Sequence, residues 1–167
     1  DLAWKNFTQS DLLVSFKKVS SDTYLKIFDS NIYKNKISPT NYDILKSEAK
    51  LILNNKNYNF TTGFQSYEDL NLSNSDRYQF ILPYYDFNKQ IFENNFTGTI
   101  NFGSSGSNDL NNTNNLRTKV VNDLNYQSLD FISKNGFKSS YNVYFKNLNT
   151  MAKNDSIYKT SPQMELM

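Results

Sequence analysis

Apolar and polar residues alternate along much of this chain, most densely from Asp76 to Phe92. Tyr78, Phe80, Leu82 and Tyr84 occupy every second position, which predicts four large side chains on one face of a strand. Ile81 falls on the other face, so both faces are expected to be at least partly covered. Pro83 lacks an N–H and is expected to end the regular ladder or to mark a sheet edge. Asp86 and Asn88 then suit a turn.

The same alternation marks further strands. Leu12, Val14 and Phe16 predict a first strand over Asp11 to Val19, although Leu12, Phe16 and Val19 also fit helical spacing. Thr23 to Asp29 reads as a second strand, joined to the first across the turn Ser20-Ser21-Asp22. Ser38 to Leu45 reads as the start of a short helix. Lys50 to Leu53 reads as a third strand, with a helix running through to Leu53 as the competing reading. Tyr58-Asn59-Phe60 starts a further strand that stops near Gly63. Thr97 to Phe102 and Ser139 to Asn147 complete the set.

Three stretches lack strand patterning. Gly103 to Asn115 is a run of Gly, Ser, Asn and Asp with little to bury, which predicts a mobile loop. Leu116, Val120, Val121, Leu124, Phe131 and Ile132 follow helical spacing up to Asn135-Gly136, a good helix stop, so Asn115 to Lys134 is predicted to be the longer helix. Thr150 to Met167 has little pattern and reads as a flexible tail. The sum is a mainly β chain, an antiparallel β-sandwich with one short and one longer helical insertion. Residues 1–10 read as a linker, 11–149 as the single sandwich domain and 150–167 as the tail.

Composition narrows the class. The chain has 167 residues, enough for one domain with its own core. Aromatic residues make up 16%, which argues against disorder. The formal net charge is only +2, with no basic stripe, so a nucleic-acid footprint is missing. No apolar run reaches the roughly 20 residues of a membrane-spanning helix. The abundance of Asn, Lys, Ile, Tyr and Phe looks like the output of an AT-rich genome. The chain opens on Asp1, which is expected of a mature or trimmed segment.

The chemistry available is limited. There is no Cys and no His, which removes disulfides, thiolate nucleophiles, the commonest general base and the usual zinc ligands. Glu68-Asp69 and Asp86 with Glu93 are the nearest carboxylate pairs, but no spacing sets them across a cleft. Tyr84-Tyr85 with Trp4 could stack on a sugar, although adjacent tyrosines on a strand point to opposite faces. Gly103-Ser104-Ser105-Gly106 lacks the lysine of a phosphate loop, and Asp109 among its asparagines has the wrong ligand spacing for a calcium loop. The expectation is a non-enzymatic chain without a catalytic site, metal or cofactor.

In the order of these elements the chain resembles the TssJ (SciN) outer-membrane lipoproteins of type VI secretion systems. The resemblance rests on Tyr78, Tyr84, Asp86, Phe87, Asn88 and Phe92. Upstream it takes in Tyr24-Leu25-Lys26-Ile27-Phe28, Ser38 to Leu45 and Lys50 to Leu53, so that it covers roughly residues 11–92. Gly103 to Lys134 is a larger insertion than that family has, and the lipid-bearing cysteine is absent from this sequence. The resemblance implies an exported docking protein at the periplasmic face of the outer membrane or on the cell surface. Its membrane contact would run only through a lipid anchor upstream. Its partner would be a TssM-like periplasmic domain, bound through the loop Lys17, Lys18, Ser20, Ser21 and Asp22. The residues by themselves leave a second class open, a surface adhesin or carbohydrate-binding module.

Overall fold

Strand follows strand along nearly the whole chain. The computed structural model describes residues 2–27, 43–94, 98–111, 115–153 and 155–166, with side chains omitted at 74–75, 92–94, 155–160 and 166. Eight long strands form one antiparallel sheet. They are β1 (Gln9–Ser15), β2 (Ile44–Asn54), β3 (Tyr58–Asp69), β4 (Tyr78–Asn94), β5 (Gly98–Asn111), β6 (Asn115–Gln127), β9 (Asn142–Ala152) and β10 (Asp155–Leu166). Their spatial order is β1-β2-β3-β4-β5-β6-β9-β10, so each long strand pairs with the next in sequence. The short strands β7 (Phe131–Ile132) and β8 (Lys138–Ser139) form a separate hairpin between β6 and β9. The chain is therefore mainly β and antiparallel, as the alternation predicts.

The helical insertions are where expectation and structure part. The only α-helix among the described residues is the single turn α1 (Tyr24–Ile27), where the sequence predicts a second strand. The helix expected at Ser38 lies mostly outside the described residues, and its end, Ile44-Leu45, begins β2. Asn115 to Lys134 is not a helix. It is β6 followed by the start of the β7–β8 hairpin. Asn135-Gly136 stops no helix. It makes the hairpin turn, where Gly136 takes a φ of 82° that a Cβ would strain. Gly103 to Asn111 belongs to β5, in register with β4 and β6 on both sides. The stretch from Thr150 onward supplies the end of β9 and all of β10.

Pro83 neither ends β4 nor lies at an edge. β4 is a central strand of 17 residues. Its ladders shift register between Ile81 and Tyr84 on one side and between Gly63 and Gln65 on the other. A bulge is the place where a central strand tolerates a missing N–H. The shift also moves Tyr84 to the face opposite Tyr78, Phe80 and Leu82, and brings Tyr85 to theirs.

The buried core is small and off-centre. Leu25 of α1, Leu45 at the start of β2 and Leu70 just after β3 are the buried hydrophobics among the described residues, with Val19 against them. This cluster caps the end of the sheet where β2 starts and β3 stops. Arg77 ties the cap down. Its guanidinium donates to Asp22 Oδ1 at 2.6 Å and to Glu68 Oε1 at 2.7 Å. Lys26 adds an ion pair with Asp43 at 2.7 Å.

Candidate functional surface

Cross-strand partners share a face, so the register sorts every side chain of the sheet onto one of two faces. One face carries Leu12 and Val14 of β1, Leu51 and Leu53 of β2, Phe60 and Phe64 of β3. It continues across the sheet with Phe80 and Phe87 of β4, Phe102 and Leu110 of β5, Val120 and Leu124 of β6, and Val143 and Phe145 of β9. The other face carries Lys46, Glu48, Lys50, Asp86, Asp109, Arg117, Lys119, Asp123 and Lys146. Among the described side chains of these eight strands, only Glu68 and Lys89, at opposite ends, put a charge on the apolar face.

Among the described residues the apolar face stays open outside the Leu25–Leu45–Leu70 cap at one end. Val14 is 71% exposed, Leu12 and Phe64 each 53%, and Met164 76%. Apolar side chains normally leave water at about 25 cal/mol per Å² buried, so a whole face left open is a large unmet driving force.

The two ends of this face are aromatic. At the end bearing the turn after β2, Trp4, Phe7, Tyr58, Phe87 and Phe102 form a chain of ring contacts 5.9–6.3 Å apart. Tyr126 and Tyr141 extend it, with ring centroids 5.9 Å apart. At the other end Tyr78 and Phe80 stack at 6.1 Å. Polar atoms on this face satisfy one another. Tyr85 Oη meets Ser104 Oγ at 3.2 Å, Ser104 Oγ donates to Asn122 Oδ1 at 2.8 Å, and Thr118 donates to Asn108 at 2.8 Å. Tyr85 lies over Gly106, where a Cβ would come within 2.5 Å of its ring. The small residues of β5 are thus what lets a tyrosine lie flat there.

No protein-family model, curated protein or solved structure matches this chain.

The opposite face is built for water. Glu48 accepts hydrogen bonds from Gln65 at 2.7 Å, Tyr84 at 2.9 Å and Lys46 at 3.1 Å. Asn59, Asn88, Gln90, Asn101, Asp123 and Asn125 line a groove on this face. Within it Asn125 Oδ1 is a buried acceptor with no partner among the described residues, an atom that calls for an aqueous donor.

The loop expected to bind a partner is exposed at Lys18, Ser20, Ser21 and Asp22 and half-buried at Lys17. It does not join two paired strands, because β1 pairs with β2 rather than with the residues after Asp22. Its ends are pinned, by Lys17 N donating to Ser47 Oγ at 3.0 Å and by the Asp22–Arg77 ion pair. Arg77 holds the Asp22 carboxyl below its ordinary value through that hydrogen bond, and Asp22 in turn raises Arg77. The carboxylate pairs do not assemble. Glu68 is taken up by Arg77 and Tyr78, and Asp86 lies on the polar face beside Asn88. Trp4 packs on Phe7, while Tyr84 and Tyr85 point to opposite faces, so these aromatics make no single platform. Among the described residues no group of three or more acidic side chains is placed to hold a metal.

Proposed function

We propose that this sheet is a section of the wall of an outer-membrane-type β-barrel, with its apolar face against lipid and its charged face lining an aqueous interior. The observation that carries this reading is the segregation of charge, Glu68 and Lys89 apart, to one face across the eight neighbouring strands of the sheet. A water-soluble sheet with one open face puts its polar side outward and covers the other. Here both faces are open among the described residues, the apolar one included.

Dimensions and trim agree with the reading. Strands of 11 residues, such as β2 and β9, extend roughly 37 Å at about 3.4 Å per residue. Tilted about 40°, they rise roughly 28 Å, enough to cross an apolar band of about 25 Å. Aromatic ends are the pattern of interfacial girdles; between them the face is aliphatic over β1 and β2 and carries Ser104, Gly106, Asn122, Asn147 and Asn149 over β5, β6 and β9. No helix among the described residues is long and apolar enough to cross a membrane, and that leaves crossing by strands open. Nearest-neighbour antiparallel order is the up-and-down topology of such barrels. On this reading the protein forms or gates an aqueous passage across an outer membrane.

The test uses adjacent residues on opposite faces. The chain has no cysteine, so each variant carries one thiol. In the membrane-bound protein, Leu124→Cys should react with a lipid-soluble maleimide and resist a charged, water-soluble reagent. Asp123→Cys should do the reverse. Equal labelling of both by the water-soluble reagent would sink the proposal. Resistance of Leu124→Cys to both reagents would point instead to a second protein layer on the apolar face.

A second reading draws on the pinned, exposed stretch Lys17–Asp22. A loop ordered at both ends suits docking, because little freedom remains to be lost on binding. It keeps the docking-lipoprotein function, with a TssM-like periplasmic domain as partner. Saturable binding to such a domain, lost when Lys17, Lys18, Ser20, Ser21 and Asp22 are all replaced by Ala, is the expected result. No binding by the unaltered chain at high micromolar concentration would end this reading.

A further inference from the structure

The β7–β8 hairpin carries the densest run of open apolar surface outside the sheet. Phe131 is 74% exposed, Ile132 67% and Phe137 75%, with Leu129 and Tyr141 also open. It is nonetheless a built element. At its stem Ser128 N donates to Tyr141 O at 2.9 Å and Tyr141 N donates to Ser128 Oγ at 2.8 Å. At its tip Ser133 N donates to Phe137 O at 2.8 Å, and Ser133 Oγ accepts from Phe137 N at 3.1 Å. The fold therefore holds three large hydrophobics in solvent on an ordered turn, where burial elsewhere would otherwise remove them from water.

The hairpin is continuous with the aromatic end of the apolar face, because Tyr141 at its stem packs on Tyr126 of the sheet. Its charges are arranged for a bilayer surface. Lys138 is neutralised by Asp130 at 2.8 Å. Lys134, beside the Asn135-Gly136 turn, is exposed and has no partner among the described residues. An apolar tip with a free lysine matches the interfacial layer, where acyl chains meet lipid phosphates.

We infer that the hairpin dips Phe131, Ile132 and Phe137 into the interfacial layer of the surrounding lipid and sets Lys134 against anionic headgroups, anchoring that end of the wall. This rests on the barrel-wall reading, and the experiment separates the two. In a Trp4→Phe background, Phe137→Trp reports on the hairpin and Phe145→Trp on the wall. The full chain is reconstituted in vesicles of phosphatidylcholine and phosphatidylglycerol with brominated acyl chains. Blue-shifted emission and quenching of both probes is the expected result, and Lys134→Glu should lessen the quenching at the hairpin only when phosphatidylglycerol is present. Quenching at Phe145→Trp with water-like, unquenched emission at Phe137→Trp would overturn the inference and leave the wall reading standing. A hairpin probe shielded from both bromolipid and aqueous quenchers would also overturn it, in favour of a protein partner. Absence of quenching at both probes would overturn the inference and the wall together.

Discussion

Arg77 joins three parts of the chain at the capped end of the sheet. Its side chain is only 18% exposed, and from the turn just before β4 it satisfies Asp22 in the loop and Glu68 in β3. The buried leucines Leu25, Leu45 and Leu70 supply the apolar part of the same cap. Removing Leu25 leaves a cavity against Leu45 and Leu70, and Leu25→Ala should cost about 2–5 kcal/mol of cap stability, read as loss of amide protection over α1. The electrostatic part is pH-dependent. Asp22 has its carboxyl lowered from 3.8 by Arg77, so its contribution is present above that ordinary value and is lost as pH falls through the lower folded one. Acidification should therefore lower the amide protection factors of residues 22–27, taken relative to the intrinsic exchange rate at each pH, before those of β5. Asp22→Asn should show the lower protection at neutral pH and lose Asp22's part of the acid dependence, leaving the part that Asp43 contributes through Lys26. An unchanged acid profile in Asp22→Asn would mean that another group holds the cap.

With the cap's chemistry set by a few residues, the elements show what is and is not readable in the chain. Period-two runs are legible: Leu12 and Val14, Leu51 and Leu53, and Val143 and Phe145 all lie in strands. The differences have physical causes. Leu116, Val120 and Leu124 are four apart, a spacing that fits one face of a helix and equally one face of a strand. Pairing with β5 and β9 on both sides decides the matter. Gly103 to Asn111 has the composition of a loop. Its conformation comes from its two neighbours and from Tyr85, which needs Gly106 bare. The bulge at Pro83 is invisible in the sequence because one inserted residue flips every later side chain, and only the partners reveal it. The apolar face itself is hidden for a related reason. Each strand's alternation says that one side is apolar, but nothing local says that eight such sides line up and stay uncovered.

The whole molecule has more surface than its mass should allow. Its accessible area is 12358 Å², against about 8,500 Å² for a compact monomer of 19.5 kDa. A single sheet with two open faces produces such an excess, and on the barrel-wall reading lipid on one face would remove much of it from water. The same environment sets a condition on the sheet's sides. β1 and β10 each have a neighbour on one side only among the described residues. In hydrocarbon an unpaired row of N–H and C=O groups is too costly to persist, several kcal/mol for each group. If the sheet is a membrane wall, both outer edges must be paired with further strands or with each other. In the membrane-bound, full-length protein, backbone amides of β1 and β10 should therefore exchange as slowly as those of β5, which is paired on both sides. Stripping the protein from lipid should accelerate exchange at β1 and β10 first. Fast exchange along either edge strand while the protein is membrane-bound would mean that the sheet ends there in contact with water, and a continuous barrel wall would no longer be tenable.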